Sequence, residues 1–491
     1  MGKRVVIIGS GLGGLSCGVL LQRAGFDVLV LEQGAQIGGC LQCFVRSGAK
    51  FETGMHFIGS AAPVQPMGRM LEYLGVADAI ELSALDSSAY NVISLGGERF
   101  CFANGSEAFV EQMGSYFPKE KDGLAEYLRI VGEISASSAL NSLESEGRDR
   151  VLDSRYQQCP VNEILDELFQ DELLKNVLVG DLPLYAGERD KTPFAQHAFI
   201  MDFYNRSAFR IVGGSDAIAR ALRDVIERSG GGVLTRKRVV GIDCKEDAVR
   251  GVETADGEYY PADYVVSTIH PKRLLELVDG PLLRPAYRKR IGSLRETTGA
   301  FVVYLKFKEG GLPYMRSNYF GYRGRSPWGC EHYSWEEGEW PMGFLYMHLC
   351  HERNPQYARC GEVISYMNYA DVAQWEHTAT GRRGEDYEAF KRQHAERLLA
   401  LLEEHHPGVL EAIESYWTST PLTYASYTGT EWGSMYGVAK DVSLGAAGRV
   451  PYRTKIPNLF LAGQNVNSHG MMGVLVGSIV TCSEIIRKNH G

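Results

Sequence analysis

The sequence predicts an α/β protein in which one domain is built on a parallel sheet and a second, discontinuous α+β unit is inserted into it. Three observations support this prediction. Residues 4–34 read as a strand, a glycine turn, a helix and a second strand. Residues 457–473 show another strand followed by a polar, glycine-rich turn, near the other end of the chain. Between these two regions, segments of helical and of strand periodicity follow one another.

The N-terminal turn has the spacing of a dinucleotide-binding fingerprint. A continuous apolar run, residues 5–8, leads into Gly9, Gly11 and Gly14, with Gly13 inside the same turn. The first glycine allows a sharp turn, the second lets a pyrophosphate approach the backbone, and the third lets the helix pack closely on the strand. The following helix N-terminus then presents free N–H groups and a partial positive charge to the phosphates.

The second strand ends at an acid in the expected position. Residues 28–31 are apolar, and Glu32 lies 32 − 14 = 18 residues after the last glycine of the fingerprint. At this spacing a carboxylate accepts hydrogen bonds from ribose hydroxyls. Gln33 follows directly, and Gly38 and Gly39 stand where the backbone makes a second approach to a phosphate. The complete βαβ unit therefore predicts a bound dinucleotide.

Composition restricts the class of protein. The chain has 491 residues, 44% hydrophobic and 23% charged, which is typical of a soluble protein with a large core. Its formal net charge is −9, from 51 basic and 60 acidic residues without a long basic run. That balance argues against nucleic acid as a partner.

Cysteine usage indicates a reducing compartment. The ten cysteines are scattered along a chain too large to need disulfide staples, so a cytoplasmic location is expected. Cys40 and Cys43 form a single C-x-x-C. Two interpretations remain: a redox pair beside a cofactor, or small side chains that pack near a phosphate turn. We favour packing, because no second cysteine pair accompanies them.

No transmembrane helix is predicted. The longest uncharged window, residues 456–483, has sufficient length for a membrane span. It carries Gln464, Asn465, Asn467 and His469 near its middle, and a helix facing lipid would not expose such side chains.

Further pieces of α/β structure follow in the middle of the chain. Residues 51–59 read as a strand that ends in a turn, and residues 262–271 as a strand ending at Ser267 and Thr268. Residues 210–222 read as a strand end, a glycine pair and a helix for which Ser215 is the expected cap. These segments extend the first domain.

The domain boundaries expected from these patterns are discontinuous. Residues 1–75, 205–270 and 441–491 are assigned to the dinucleotide-binding domain, and residues 76–204 and 271–440 to a substrate domain. Residues 271–440 include three tryptophans in the segment 328–340. They are interpreted as rings packed on a sheet, with a lip that contacts lipid as the alternative, because anchors at a membrane surface usually have basic neighbours.

Several sequence blocks resemble the phytoene desaturase-related flavoproteins, and within them the branch of retinol saturase and carotenoid isomerase. They occur in the family's order and reach across nearly the whole chain: LEQGAQIGGC, FETGMHFIG, PFAQHAFIMDFYNRSAFRIVGGSDAIARAL, STPLTYASYTGTEWGSMYGVAKD and IPNLFLAGQNVNSHGMMGV. One departure is Arg210, which stands where many members have a glycine and an aromatic-rich turn.

The resemblance implies a Rossmann-like FAD-binding domain of the GR2 type. It also implies that the C-terminal turn brings Gly463 and Asn465 to the flavin phosphates and ribityl chain. For His469 the resemblance leaves two roles open, donation to the flavin or capping of the last helix. The remaining cofactor contacts that it implies are Cys40, Val239, Gln464, Gly470 and Met471.

The activity implied by the resemblance is FAD-dependent saturation or desaturation of a carbon–carbon double bond in a polyene or retinoid-like lipid, most like that of a saturase. Two alternatives stay open: cis–trans isomerisation of a carotenoid, and a flavin-bound lipid carrier without turnover. The expected partner is a hydrophobic small molecule. Because no second G-x-G-x-x-G occurs, electrons are expected from an external carrier, with transient NAD(P)H docking and peripheral membrane contact as further options.

Three side chains within these blocks are candidates for acid–base chemistry. His56 could carry a proton or be a hydrogen-bonded histidine at a strand end. Tyr424 and Tyr427 are weaker candidates, because buried tyrosines are common in cores. No metal site is predicted, since the histidines are not grouped with acids at ligand spacing.

Overall fold

The structure is a computed structural model that describes residues 2–137, 155–466 and 468–490. Residues 138–154 of the expected substrate domain and Asn467 of the C-terminal turn lie outside the described residues. Two large sheets organise the rest.

The strands in chain order are β1 (Arg4–Ile8), β2 (Asp27–Leu31), β3 (Cys43–Arg46), β4 (Ala49–Glu52), β5 (Ile58–Gly59), β6 (Leu82–Ala84), β7 (Asn91–Leu95), β8 (Glu98–Phe102), β9 (Ala208–Ile211), β10 (Gly232–Leu234), β11 (Val239–Lys245), β12 (Ala248–Thr254), β13 (Tyr259–Pro261), β14 (Tyr264–Ser267), β15 (Gly299–Phe307), β16 (Asn318–Tyr322), β17 (Gly343–His348), β18 (Cys360–Met367), β19 (Ile413–Ser419) and β20 (Leu459–Leu461).

The α-helices are α1 (Leu12–Arg23), α2 (Pro66–Tyr73), α3 (Ser106–Tyr116), α4 (Lys121–Ser137), α5 (Val161–Leu168), α6 (Glu172–Leu178), α7 (Phe194–Arg206), α8 (Asp216–Arg228), α9 (Pro271–Leu277), α10 (Pro285–Gly292), α11 (Glu385–His405), α12 (Val409–Ala412), α13 (Pro421–Thr428) and α14 (Gly470–His490).

The first large sheet is parallel, with strand order β10-β2-β1-β14-β20. Its central strand, β1, is a run of valine and isoleucine that is buried on both faces, as strands of parallel sheets covered by helices are. The helix α1 crosses from β1 to β2, and α14 packs beside it. All five strands come from segments expected in the dinucleotide-binding domain.

The second large sheet has the order β19-β15-β18-β17-β16-β7-β8 and is antiparallel except where β16 runs parallel to β7. One face packs on α11 through residues such as Phe301 and Leu398. The other face packs on α4 and α7, with Met347 of β17 among the core residues. These strands all come from segments expected in the substrate domain.

A small sheet, β5-β9-β6, joins the two units. The side chain of Arg210 on β9 is buried and donates to the carbonyl oxygen of Ser317, just before β16 (3.4 Å). This joint brings the C-terminal edge of the parallel sheet close to the seven-stranded sheet.

Two local expectations were wrong. The predicted strand 51–59 stops at Glu52 and resumes only at Ile58, because the chain turns at Gly54, where a Cβ would lie 3.0 Å from that of Cys40. Ser215 precedes α8 but its hydroxyl does not cap the helix. It bonds the buried carboxylate of Glu52 and the carbonyl oxygen of Leu41 instead, since a buried acid needs donors.

Among the described helices, one segment, Gly470–Asn489, is long and apolar enough to cross a membrane. Its apolar window is 56% buried inside the protein, and the helix packs along α1. In this structure it has the surroundings of a core helix of the dinucleotide fold.

The tryptophan-rich segment packs inside the substrate domain. Trp340 is fully buried, and its indole N–H donates to the carbonyl oxygen of Tyr366 (2.7 Å). Trp335 stacks on His394, with ring centroids 4.0 Å apart. Their surroundings match the interpretation of rings packed on a sheet.

Candidate active site

A cavity of about 390 Å³ runs between the two units. Its wall includes the residues that directly follow β1, β2 and β14, and Gly463, the second residue after β20, so it lies along the carboxyl ends of the parallel strands. Ligands of open α/β sheets bind at this edge. From the glycine turns, the cavity continues beneath the seven-stranded sheet, where its wall becomes aromatic.

The N-terminal turn provides a backbone surface. Gly9 adopts φ +97°, which favours glycine. A Cβ on Gly11 would point into open space, and one on Gly13 would lie 3.0 Å from the Cα of Gly463. Gly14 differs from these three: it does not border the cavity, and its Cβ would meet the carbonyl oxygen of Gly9 at 1.9 Å. Gly14 therefore serves helix packing.

The second glycine pair abuts this turn. Gly38 and Gly39 have φ of +114° and +56°, and the N–H of Gly38 donates to the carbonyl oxygen of Ser10 (2.9 Å). A Cβ on Gly39 would lie 3.1 Å from the Cα of Gly11. Two turns without side chains thus face the same part of the cavity, as a bound pyrophosphate requires.

Glu32 is held in place at the outer end of the cavity. One carboxylate oxygen accepts from the backbone N–H and hydroxyl of Ser10 (3.0 and 2.6 Å), and the other accepts from the N–H of Gly34 (2.7 Å). Gln33 and Val239 line the same end. A fixed carboxylate with unused lone pairs beside an apolar wall suits a ribose and its base.

The C-terminal turn closes the other side. Gly463 has φ +94°, and the side-chain oxygen of Asn465 accepts from the N–H of Val438 (2.8 Å). Gln464, Gly470 and Met471 also border the cavity. The turn therefore faces the N-terminal turn across the cavity, with the start of α14 beside it.

These features fit FAD. The glycine turns leave backbone surface free for a pyrophosphate, and Glu32 is placed for the ribose. Gly463, Gln464, Asn465, Gly470 and Met471 would border the flavin part of the cofactor. The fit depends on glycines in both the N-terminal and the C-terminal turn, so the two turns form one binding site.

His56 lies in the wall beyond the nucleotide end, and 11% of its side chain is exposed. Its Nε2 is 2.8 Å from Oε2 of Glu362, an ion-pair distance, although the two groups do not form a well-aligned hydrogen bond. The guanidinium of Arg210 donates to the His56 carbonyl oxygen (3.4 Å). Arg210 itself does not border the cavity.

The two tyrosine candidates differ in position. Tyr424 borders the cavity, and burial raises its pKa well above the usual range, so its phenol stays neutral. Tyr427 lies at the rim with 64% of its surface exposed. The catalytic role of both tyrosines remains a prediction.

The C-x-x-C does not provide a thiolate. Cys40 borders the cavity, and burial raises its pKa. The Cys43 thiol donates to Glu52 (3.1 Å), and burial together with that carboxylate raises its pKa as well. Because the reactive form of cysteine is the thiolate, this environment supports packing over redox chemistry.

His469 occupies a different environment in the same wall. It is buried, its Nε2 contacts the side-chain amide of Gln196, and its ring lies over Tyr436 with centroids 4.7 Å apart. Burial and the charge of Lys440 lower its pKa to about 3. Within residues 2–137, 155–466 and 468–490, no group of three histidine, cysteine or acidic side chains could hold a metal ion.

The family model for flavin-containing amine oxidoreductases matches residues 12–486. The chain belongs to this family. It is a flavin-dependent oxidoreductase, and both the predicted Rossmann-like fold and the predicted FAD are confirmed.

Curated relatives within this flavoprotein family cover nearly the whole chain. The all-trans-retinol 13,14-reductase of Homo sapiens is 27% identical, with 99% of this chain and 86% of the relative covered. A chloroplastic prolycopene isomerase of an Oncidium hybrid cultivar is 22% identical, covering 99% and 84%. These matches confirm the resemblance to the phytoene desaturase-related branch.

Solved structures agree on the fold. Putrescine oxidase, determined with bound putrescine, superposes with a TM-score of 0.66 at 16% identity and covers 99% of each chain. At this identity the likeness concerns the fold alone.

The sequence missed most of the aromatic wall of this flavoprotein. The rings come from separate elements and meet only in the folded chain: Phe199, Phe203, Tyr322, Phe344, Tyr366 and Tyr436. It also missed Glu362. Side chains alternate along β18, so Glu362, Ile364 and Tyr366 lie on one face. This alternation was the sequence signal that could have located Glu362.

Proposed function

We propose that this flavoprotein reduces a carbon–carbon double bond of a conjugated, apolar lipid of the retinoid or carotenoid type. The proposal rests on the part of the cavity that continues from the flavin site and is lined by aromatic rings such as Tyr322, Phe344 and Tyr366, here called the aromatic chamber. An aromatic lining of this kind suits a long polyene. The relatives named for retinol 13,14-reduction and prolycopene isomerisation act on molecules of this type.

The chamber excludes charged ligands by its chemistry. Burial raises the pKa of Tyr322 and of Tyr366 well above their usual range, so both rings stay uncharged. Neighbouring wall residues include Phe344, Leu345 and Ile364. The transfer of an apolar polyene from water into this chamber is favourable, whereas the transfer of an ion without a partner would be strongly disfavoured.

Reduction needs a hydride and a proton. When bound, reduced FAD supplies the hydride to one carbon of the double bond. His56 is the residue best placed to supply the proton to the other carbon. Its Nε2 faces the Glu362 carboxylate, which leaves Nδ1 for the cavity. Tyr424 shapes the neighbouring wall and remains protonated.

The electrons come from a separate carrier in this proposal, and transient docking of NAD(P)H on the flavin face is the alternative. The absence of a second nucleotide fingerprint from the sequence supports an external source. The proposed division into a dinucleotide-binding domain and a substrate domain keeps the discontinuous boundaries given above, and the parallel and seven-stranded sheets support it. The proposed location is the cytoplasm with peripheral membrane contact, supported by the exposed rings of Tyr427 and Trp432.

Anaerobic incubation of dithionite-reduced protein with all-trans-retinol or a carotenoid tests the proposal. Reduction adds two hydrogens to the product mass, and the flavin spectrum returns to the oxidised form. Unchanged mass with altered chromatographic retention would identify an isomerase instead. No chemical change with either lipid would leave a lipid carrier and contradict the proposal. Free FAD reduced in the same way is the control.

A further inference from the structure

Glu362 is a buried carboxylate with one unusual partner. It lies on β18 and is fully buried. Its Oε1 accepts from the backbone N–H of Glu52 (2.9 Å). Its Oε2 lies 2.8 Å from Nε2 of His56 and makes no hydrogen bond to any other group among the described residues.

We propose that Glu362 is a positioning residue that turns Nε2 of His56 into the wall and keeps Nδ1 toward the substrate. This inference rests on the proposed function, because it assigns how the proton donor of that reaction is oriented. A carboxylate beside one ring nitrogen selects the tautomer that keeps its proton there, so the other nitrogen is left to exchange protons with the cavity.

Burial increases the need of the Glu362 carboxylate for a partner. A carboxylate without water has to be balanced by hydrogen bonds or by a positive charge, and one backbone N–H is a weak balance. The imidazole of His56 is the group within ion-pair distance of Oε2. The approach of Nε2 to Oε2 therefore places an imidazole N–H where it can balance the buried carboxylate.

The surrounding charges are compatible with this role. Arg210 donates to the carbonyl oxygens of His56 and Ser317, and it also interacts with Tyr314 and with the charge of Glu362. Burial raises the pKa of Glu52, a second acid in the same region, which bonds Ser215 and Cys43. The ionisable groups near Glu362 are Cys360 on its own strand and, from packed elements, His56, Glu52, Arg210, Tyr304 and Tyr424.

The proton transfer balances without another reactant. The N–H bond at Nδ1 breaks, and a C–H bond forms at the substrate carbon next to the one that received the hydride. The electron pair of the Nδ1–H bond stays on the imidazole, which becomes neutral and keeps its Nε2 proton toward Glu362. Water that reaches the cavity then restores the Nδ1 proton.

Nitrogen NMR of the protein labelled with ¹⁵N-histidine tests the orientation without turnover. The His56 signals are assigned by their loss in His56→Gln. In the native protein we expect neutral His56 to carry its proton on Nε2, and in Glu362→Gln we expect that preference to disappear. Glu52→Gln is the matched control, because it removes a buried carboxylate that does not touch the imidazole. An unchanged tautomer in Glu362→Gln overturns the proposal.

Single-turnover kinetics provides a second test. Glu362→Gln should slow oxidation of the reduced protein by retinol about 10- to 100-fold, the usual effect of removing a group that orients a ligand or acid. In the His56→Gln background, Glu362→Gln should have no added effect. Additive losses would contradict action through His56.

The two experiments separate the possible failures. If retinol is not reduced but the tautomer depends on Glu362, the proposed function is wrong and the pairing of Glu362 with His56 stands. If retinol is reduced but the tautomer does not depend on Glu362, the positioning role is wrong and the proposed function stands.

Discussion

His56 and His469 border the same cavity and have opposite environments. His56 lies 2.8 Å from the carboxylate of Glu362 and is partly exposed to the cavity. His469 is buried against Tyr436 and Gln196, and the charge of Lys440 adds to burial in lowering its pKa to about 3. The first imidazole has a carboxylate beside it, and burial keeps the second one neutral.

This difference shows why residue type does not assign a role. Both histidines occur in sequence blocks shared with related flavoproteins, and both stand near glycine-rich turns. Their partners lie far away in the chain and decide the chemistry. Glu362 offers an acceptor to one imidazole, whereas burial beside a lysine favours a fixed, uncharged ring at the other.

Gly11→Val is the variant with the largest expected effect. It should prevent flavin binding and so remove the reaction in which His56 and His469 are compared. Its Cβ meets no protein atom within 4 Å, so the fold should survive while the side chain fills the space left for the pyrophosphate. We expect a colourless protein that does not take up added FAD, measured by absorbance.

Gly132→Val is the control, because a Cβ there also meets no atom within 4 Å and Gly132 does not border the cavity. This variant should remain yellow. If Gly11→Val bound FAD as well as the control does, the position of the pyrophosphate would be wrong.

His56→Gln sharpens the comparison at the chemical step. Loss of a general acid typically costs about 10²- to 10⁴-fold in rate, so reduction of retinol should slow by about that factor while flavin content is unchanged. Single-turnover kinetics measures the effect. A loss below threefold would remove His56 from the mechanism.

The next prediction concerns the effect of acid pH on the unfolding free energy through His469. Because burial lowers the pKa of His469 to about 3, the unfolded chain binds a proton there below about pH 6.5 that the folded protein does not. Stability is therefore lost as pH falls. Between pH 6.5 and 5 this group should cost about 2 kcal/mol of unfolding free energy.

Denaturant unfolding at pH 7 and pH 5 checks this sign. His469→Gln, which cannot be protonated, should lose less stability on acidification than the native protein by about that amount. Equal losses would show that His469 is protonated in the folded protein.

The smallest effect is expected for turnover of His469→Gln. A neutral imidazole that does not exchange a proton can be replaced by an amide with a change of roughly less than tenfold in rate. We expect the shape of the pH–rate profile to be retained. A profile altered as in His56→Gln would make the two histidines equivalent and defeat the comparison.

The nucleotide end could be predicted from the sequence because its signals are local. Gly9, Gly11 and Glu32 have fixed spacings, and the apolar runs before them specify buried parallel strands. The role of Gly463 followed from the resemblance. The fingerprint also distinguished Gly14, which packs a helix, from Gly11, which faces the cavity.

The part of the site around His56 and Glu362 could not be predicted to the same extent, because its residues come from elements that are far apart in the sequence. Glu362 and His56 are far apart in the chain, and no spacing rule connects them. The break in the strand after Glu52 depends on packing of Gly54 against Cys40, which alternation cannot reveal. Ser215 followed the rule for caps, yet Glu52, a buried acid in another strand, attracted its hydroxyl.

The neighbourhood of β1 and β20, each paired with β14, has a consequence for biosynthesis. Translation completes the N-terminal glycine turn long before the Gly463 turn. Domains usually fold as their segments leave the ribosome, but here one side of the nucleotide cleft waits for the opposite side until β20 and the turn after it have been made. A chain that stopped between β14 and β20 would therefore keep the N-terminal turn and lack the facing part of the cofactor site.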